Sequence, residues 1–160
     1  MELMQVVNYD GTDTGLMLDP EYIHQNNLFH REVNFFIRDE NNRFLLLKNK
    51  KNNLWQCPKC DLYEKKTAND CIKEFLNREF QLNILEEEII LYSKRRCLIE
   101  ANHHIEYIYY VNVLNRSLKY LRRMDYLWID KNSLKEKLVN GEIVFDDNRD
   151  ILDVLNQIQI

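Results

Sequence analysis

The sequence predicts one layered α/β domain, and three observations carry that expectation. Strand-length apolar runs separated by turn residues recur along the chain. Between them lie segments with helical apolar spacing behind a capping residue. The interleaving occurs within 160 residues that contain no internal repeat and no Pro/Gly/Ser-rich linker, so residues 1–160 read as a single core.

Each element follows from its local pattern. Glu2 to Val7 reads as a strand, and Tyr9 to Gly15, with two of the three glycines, as a turn. Pro20 opens a short helical turn that carries His24. Val33 to Ile37 and Phe44 to Leu47 form a hairpin across the turn Asp39 to Asn42. A polar loop, Asn49 to Asn53, leads into Leu54-Trp55-Gln56-Cys57-Pro58-Lys59-Cys60. Thr67 caps a helix to Phe80, with Asp70 three residues on completing a near capping box.

Ile89 to Leu98 and Ile105 to Val113 are strands. In the second, Ile105, Tyr107, Tyr109, Val111 and Val113 share one face, and His104, Glu106, Ile108 and Tyr110 the other. Apolar residues on both faces mark a central strand covered on both sides. Tyr126 to Ile129 is a further strand. A helix follows, capped by Asn132 or Ser133, with Leu134, Leu138 and Val139 as its buried stripe. Asp146-Asp147 opens a last helix burying Ile151, Leu152, Val154 and Leu155.

Composition narrows the function classes. Hydrophobic residues make up 45% and charged residues 30%, which suits a globular fold. A net charge of −4 argues against a general nucleic-acid binder. The N-terminus lacks a basic region followed by an apolar run, and no stretch approaches the ~20 apolar residues of a membrane span. The expected location is the cytoplasm, with no membrane partner. There, Cys57, Cys60, Cys71 and Cys97 are expected as reduced thiols or metal ligands. Cys57-Pro58-Lys59-Cys60 has the spacing of half a zinc site, but the chain has no second CxxC or HxxxH, so zinc is not expected.

The order of landmarks resembles the Nudix superfamily, in the branch that holds isopentenyl-diphosphate isomerase and its hydrolase relatives. Tyr9 to Gly15 is similar to that branch's opening D-x-x-G-x-x-x-G turn, and Phe29-His30-Arg31-Glu32-Val33 to its H-R-x-V strand entry. Phe44 to Leu47 resembles the LLLxxR strand, and Leu54-Trp55 with Pro58 the LW-x-x-P-G-G approach. Trp128 with Leu134, and Phe145-Asp146-Asp147, resemble the closing segments. The resemblance implies a Nudix-type α/β/α sandwich with a mixed sheet.

The catalytic box departs from the family pattern G-x5-E-x7-R-E-U-x-E-E-x-G-U. Anchored on Pro58 and Leu82, its positions fall on Cys60, Lys66, Glu74, Phe75, Leu76, Arg78, Glu79, Gln81 and Leu82. Among the acidic ligands only Glu79 remains. Slipping by one puts Lys73-Glu74-Phe75 on the R-E-U triplet, but Asn77 and Arg78 then replace the paired glutamates. Nudix hydrolysis needs several carboxylates on one helix face to hold Mg²⁺ or Mn²⁺ against a diphosphate. At ~100° per residue, Glu79 shares the apolar face of Ile72, Phe75 and Leu76, whereas Glu74 points away and is placed to pair with Arg78.

The resemblance also implies a second site. Isopentenyl-diphosphate isomerases hold a divalent metal with two histidines before the first core strand, a third after the catalytic cysteine, and two glutamates on a later strand. His24 and His30 resemble the first two, Cys60 the catalytic cysteine, and Glu79 the glutamate of the second ion. Leu62 replaces the third histidine, and Asn102 and His104 stand where the glutamates would be. Glu79 and Cys60 are therefore the candidate catalytic residues, and Glu79, His24, His30 and His104 the candidate metal ligands. Lys66, Arg78 and Arg96, the last within Lys94-Arg95-Arg96, are candidate phosphate contacts, as is Arg122-Arg123.

The expected function is binding of a small phosphorylated metabolite, or of a protein partner, with little or no hydrolysis. The alternatives are an active Mg²⁺- or Mn²⁺-dependent diphosphate hydrolase and an isomerase relative.

Overall fold

The described residues of a computed structural model are 2–63, 66–99, 102–120 and 125–144. They run β1 (Met4–Val7), β2 (Asp13–Leu18), α1 (Pro20–Gln25), β3 (His30–Arg38), β4 (Arg43–Lys48), β5 (Trp55–Gln56) and β6 (Lys59–Asp61). After these come α2 (Ala68–Phe80), β7 (Ile89–Ile99), β8 (Asn102–Asn112), β9 (Tyr126–Asp130) and α3 (Lys131–Val139). The last helix expected from Asp146, Phe145 itself, Arg122-Arg123 and the side chains of Arg95 and Cys97 lie outside the described residues.

The N-terminal strands form a separate antiparallel hairpin, β1 on β2. Its turn is shorter than the glycine spacing suggests. Asp10 accepts the Thr12 N–H at 2.9 Å and the Thr12 hydroxyl at 2.6 Å, and Gly11 takes φ +88°. The chain is already extended at Asp13, so Gly15 belongs to a strand and not to the turn. Asp19 caps α1 by accepting the Glu21 N–H at 2.8 Å, and Pro20 occupies the first turn.

Five strands lie in the order β5-β4-β3-β8-β7, with β9 added to β4 and β6 to β3. β3 and β8 are parallel, from His30↔His104 to Arg38↔Asn112, and the other pairs are antiparallel. The mixed sheet expected from the family resemblance is therefore present. β3 borders β4 only at Arg38↔Phe44; further back its neighbour is β6, through Glu32↔Asp61, Val33↔Cys60 and Asn34↔Lys59.

Period-two alternation sorts the two faces. Val33, Phe35 and Ile37 pack with Leu45 and Leu47 beneath Ile72, Phe75, Leu76 and Phe80 of α2. Phe36, Phe44, Leu46, Ile108 and Ile129 face the opposite side, under Leu134 of α3. Helices on both faces complete the α/β/α arrangement.

α2 begins at Thr67 with a complete capping box: the Thr67 hydroxyl accepts the Asp70 N–H at 3.1 Å, and Asp70 accepts the Thr67 N–H at 3.0 Å. It ends at Gln81, which adopts φ +50°, a conformation glycine would take more readily.

Three expectations need correcting. Asp130, not Asn132 or Ser133, caps α3, accepting the Ser133 N–H at 2.9 Å. Val139 is 79% exposed, so the buried side of α3 rests on Leu134 and Leu138. Cys60 and Cys71 are joined in a disulfide instead of being reduced thiols or metal ligands. The pairing of Cys60 opposite Val33 turns it towards α2, where Cys71 waits in the first turns. Cys57 packs into the opposite face with Phe36 and Leu46, so the CxxC does not converge on one ion. Among the described residues no helix is long and apolar enough to cross a membrane.

The α2 packing sets the first expected outcome. Leu76→Ala should cost about 2–5 kcal/mol of unfolding free energy, and Thr67→Ala about 1 kcal/mol. Urea denaturation monitored by tryptophan fluorescence measures both.

Candidate functional site

Among the described residues, one group of side chains able to ligate a metal lies on the α3 side of the sheet, near the start of β3. His24 comes from α1, His30 from β3 and Asp61 from β6, and a ligand atom from each lies within 4.8 Å of the others. Asp61 Oδ1 is 3.8 Å from His30 Nε2, and Asp61 Oδ2 is 3.9 Å from His24 Nε2. These distances are too long for hydrogen bonds. They are near the separation of two ligands on one ion, roughly 3–4 Å when each bond is about 2.1 Å.

The electrostatics of His30 fit the same reading. Its Nδ1 lies 3.1 Å from the Leu28 carbonyl, which only accepts, so Nδ1 carries the proton. Burial outweighs that hydrogen bond and the charge of Asp61, holding the His30 imidazole below its usual range. The neutral ring presents the Nε2 lone pair towards a carboxylate, and this buried atom has no hydrogen-bond partner. Two lone-pair groups facing one another repel unless a proton or cation lies between them. Orientation of a histidine by a backbone carbonyl behind it is the usual support for a metal ligand.

A second polar group adjoins this one along the parallel β3–β8 pair. His104 is fully buried, with its ring centroid 5.9 Å from that of His30 and its Nε2 3.8 Å from Glu32 Oε1. Asn34 Nδ2 donates to Glu32 Oε1 at 3.2 Å and to Glu106 Oε1. Glu32 and Glu106 are each 6% exposed. Cys57 lies near Glu106, and burial, followed by that carboxylate, pushes its thiol well above the usual range.

His24 and His30 lie together, with the His104 ring beside that of His30, and Glu79 does not join them. It lies on the α2 face, 3% exposed, where its Oε1 accepts from Arg78 Nε at 3.0 Å and its Oε2 from the Tyr126 hydroxyl at 2.9 Å. The buried lone carboxylate read from the helical wheel is hydrogen-bonded on both oxygens. The expected Arg78–Glu74 pair is replaced by this Arg78–Glu79 contact, and Glu74 instead binds Lys66 at 3.0 Å. Cys60, bound to Cys71 and facing α2, presents no thiol to the histidines.

Asp61, Glu32, Glu106 and Asn34 escaped the sequence reading. Glu106 shares the strand face of His104, and Glu32 follows His30 by two, so period two along both strands held the signal. Asp61 had none, because a three-residue strand is too short to show alternation.

No protein-family model matches the chain, and no curated protein matches its sequence. Solved structures do match. DR0079 from Deinococcus radiodurans aligns over 98% of both chains, with a TM-score of 0.69 and 14% identity. The dihydroneopterin triphosphate pyrophosphohydrolase of E. coli aligns over 80% of this chain and 93% of its own, at 0.61 and 13%. A MutT protein from Methanosarcina mazei Go1 aligns over 81% and 94%, at 0.59 and 17%. At these identities the likeness establishes the fold, that of the MutT/Nudix proteins.

If Glu79 is held structurally by its two donors, Tyr126→Phe should destabilise the protein by about 1–3 kcal/mol through the unsatisfied carboxylate oxygen. Adding Glu79→Leu should return part of that loss. Urea midpoints of the single and double variants measure the coupling, and strict additivity would sink the account.

Proposed function

From a chain with the Nudix fold, we propose a protein that binds a phosphate-containing metabolite and does not hydrolyse it through the α2 carboxylates. The observation that carries this reading is Glu79, hydrogen-bonded on both oxygens by Arg78 and Tyr126. To ligate Mg²⁺ there it would have to give up these partners, and a single carboxylate supplies few of the six oxygens that ion requires. Glu74 is exposed and bound to Lys66, so it offers no second inward carboxylate. The ligand class is supported by the box position of Lys66, and by the name of the E. coli structure, a triphosphate pyrophosphohydrolase. Lys66 and Arg78 stand at box positions, and each would have to exchange its carboxylate partner for phosphate.

The test is turnover. With nucleoside and isoprenoid diphosphates and Mg²⁺ or Mn²⁺, phosphate release should stay below ~1 s⁻¹, the low end of ordinary enzymes. Turnover above that rate which disappears in Glu79→Gln would overturn the reading.

A specific observation favours a second reading, in which a divalent ion sits at His24, His30 and Asp61 and the chain works as an isomerase relative. That observation is the His30 Nε2 lone pair aimed at Asp61. Two imidazoles and one carboxylate suit Mn²⁺ and other first-row ions better than Mg²⁺. Such an ion would supply positive charge to a bound anion, while Glu106 and Cys57 line the adjoining sheet face. Equilibrium dialysis with Mn²⁺ should show one site, lost in His30→Ala and in Asp61→Asn. Retention of Mn²⁺ by both variants would exclude this centre.

A further inference from the structure

Three cations converge at the N-terminal turn with no ion pair to a carboxylate among the described residues, although Lys94 lies within the field of Asp10. The β3–β8–β7 register sets Arg31 and Arg96 on either side of Ile105, with Lys94 opposite Tyr107 one row further on. Arg31 donates to the Gly11 carbonyl at 3.1 Å and to the Gln5 side chain. Arg96 donates its Nε to the Tyr9 carbonyl at 2.7 Å, and its guanidinium lies 3.8 Å from the Tyr9 ring centroid. Lys94 Nζ reaches under Gly11, only 3.1 Å from where a β-carbon would stand, and 5.4 Å from the Tyr107 ring centroid. Gly11 suits this position through its φ of +88°, with the Lys94 ammonium close beneath it.

Elsewhere among the described residues five cations contact acids, namely Lys66 with Glu74, Lys73 with Glu86, Arg43 with Asp39, Arg78 with Glu79 and Lys137 with Glu142, while Lys48 rests on the Trp55 ring. At the turn, the nearby acid is Asp10, whose oxygens are turned to Thr12. In a chain of net charge −4, three cations held together by carbonyls and aromatic rings form a local field of the opposite sign. Their partners consume one donor of Arg96 and none of Lys94. The remaining guanidinium and ammonium hydrogens suit a group with several anionic oxygens.

We propose that Arg31, Lys94 and Arg96 form a phosphate-binding subsite at the Tyr9–Thr12 turn, which takes the phosphate or diphosphate end of a small molecule. This rests on the reading of the chain as a binder of phosphate-containing metabolites and gives that ligand a place away from α2. The cations supply the neutralising charge that a divalent ion supplies at an intact Nudix helix.

The experiment is calorimetric titration of the chain with inorganic pyrophosphate in chelator at low salt, paired with the Gly11 amide resonance in a nitrogen–proton correlation spectrum. Wild type should bind and shift Gly11. The double variant Lys94→Gln/Arg96→Gln should bind at least tenfold more weakly with an unchanged urea midpoint, whereas Lys73→Gln should bind as wild type. Binding undiminished in the double variant, or a Gly11 resonance that does not move, would overturn the subsite and leave the broader reading standing. No binding of pyrophosphate by wild type, together with none of any nucleoside diphosphate at millimolar concentration, would overturn both. Binding to vesicles of phosphatidic acid but not to pyrophosphate would assign the triad to a lipid headgroup and overturn the small-molecule proposal.

Discussion

The parallel pairing of β3 with β8 is the constraint on which the rest of the structure depends. Over nine consecutive positions each residue of β3 faces a fixed neighbour on β8, and in a parallel pair those neighbours project to the same side. A one-residue slip would send every side chain to the wrong face. Val33, Phe35 and Ile37 therefore meet α2 with Tyr109 and Val111, while His30, Glu32 and Asn34 meet His104, Glu106 and Ile108 on the other side. The apolar core and the polar cluster are two readings of one register, and neither can shift without the other.

That register also separates the two chemistries suggested by the sequence. Glu79 belongs to the α2 face and the histidines to the opposite one, so the sheet lies between Glu79 and the group of His24, His30 and Asp61. The disulfide reinforces the division. It fixes Cys60 to α2, while Cys57, three residues earlier, packs into the other face.

The fold was legible where periodicity is long. The thirteen-residue α2, with its capping box and apolar stripe, and β7 stand near their expected limits, while β3 and β8 are present but begin three residues before the expected starts at Val33 and Ile105. Short elements were not: β5 and β6 have two and three residues, too few for a period to show, and Asp61 was lost with β6. The histidine set was legible through resemblance, but its carboxylate was not. Charge pairing was the least legible. Arg78 has Glu74 four residues before it and Glu79 beside it, and only tertiary structure, which brings Lys66 to Glu74, decides between them. Likewise the disulfide depended on a strand register that no local pattern displays.

Across the sheet from α2 lies a second set of carboxylates with a different electrostatic situation. The face that carries His24 and His30 holds Asp61, Glu32 and Glu106, two of them nearly excluded from solvent. Buried carboxylates need compensation. Asn34 supplies hydrogen bonds to two of them. The imidazole of His30 is kept neutral by burial and offers a lone pair instead of a proton to Asp61. A cation bound among these groups would stabilise the folded state by mass action, since the unfolded chain has no such arrangement. α2, by contrast, has settled its one inward carboxylate with internal donors and has no comparable need.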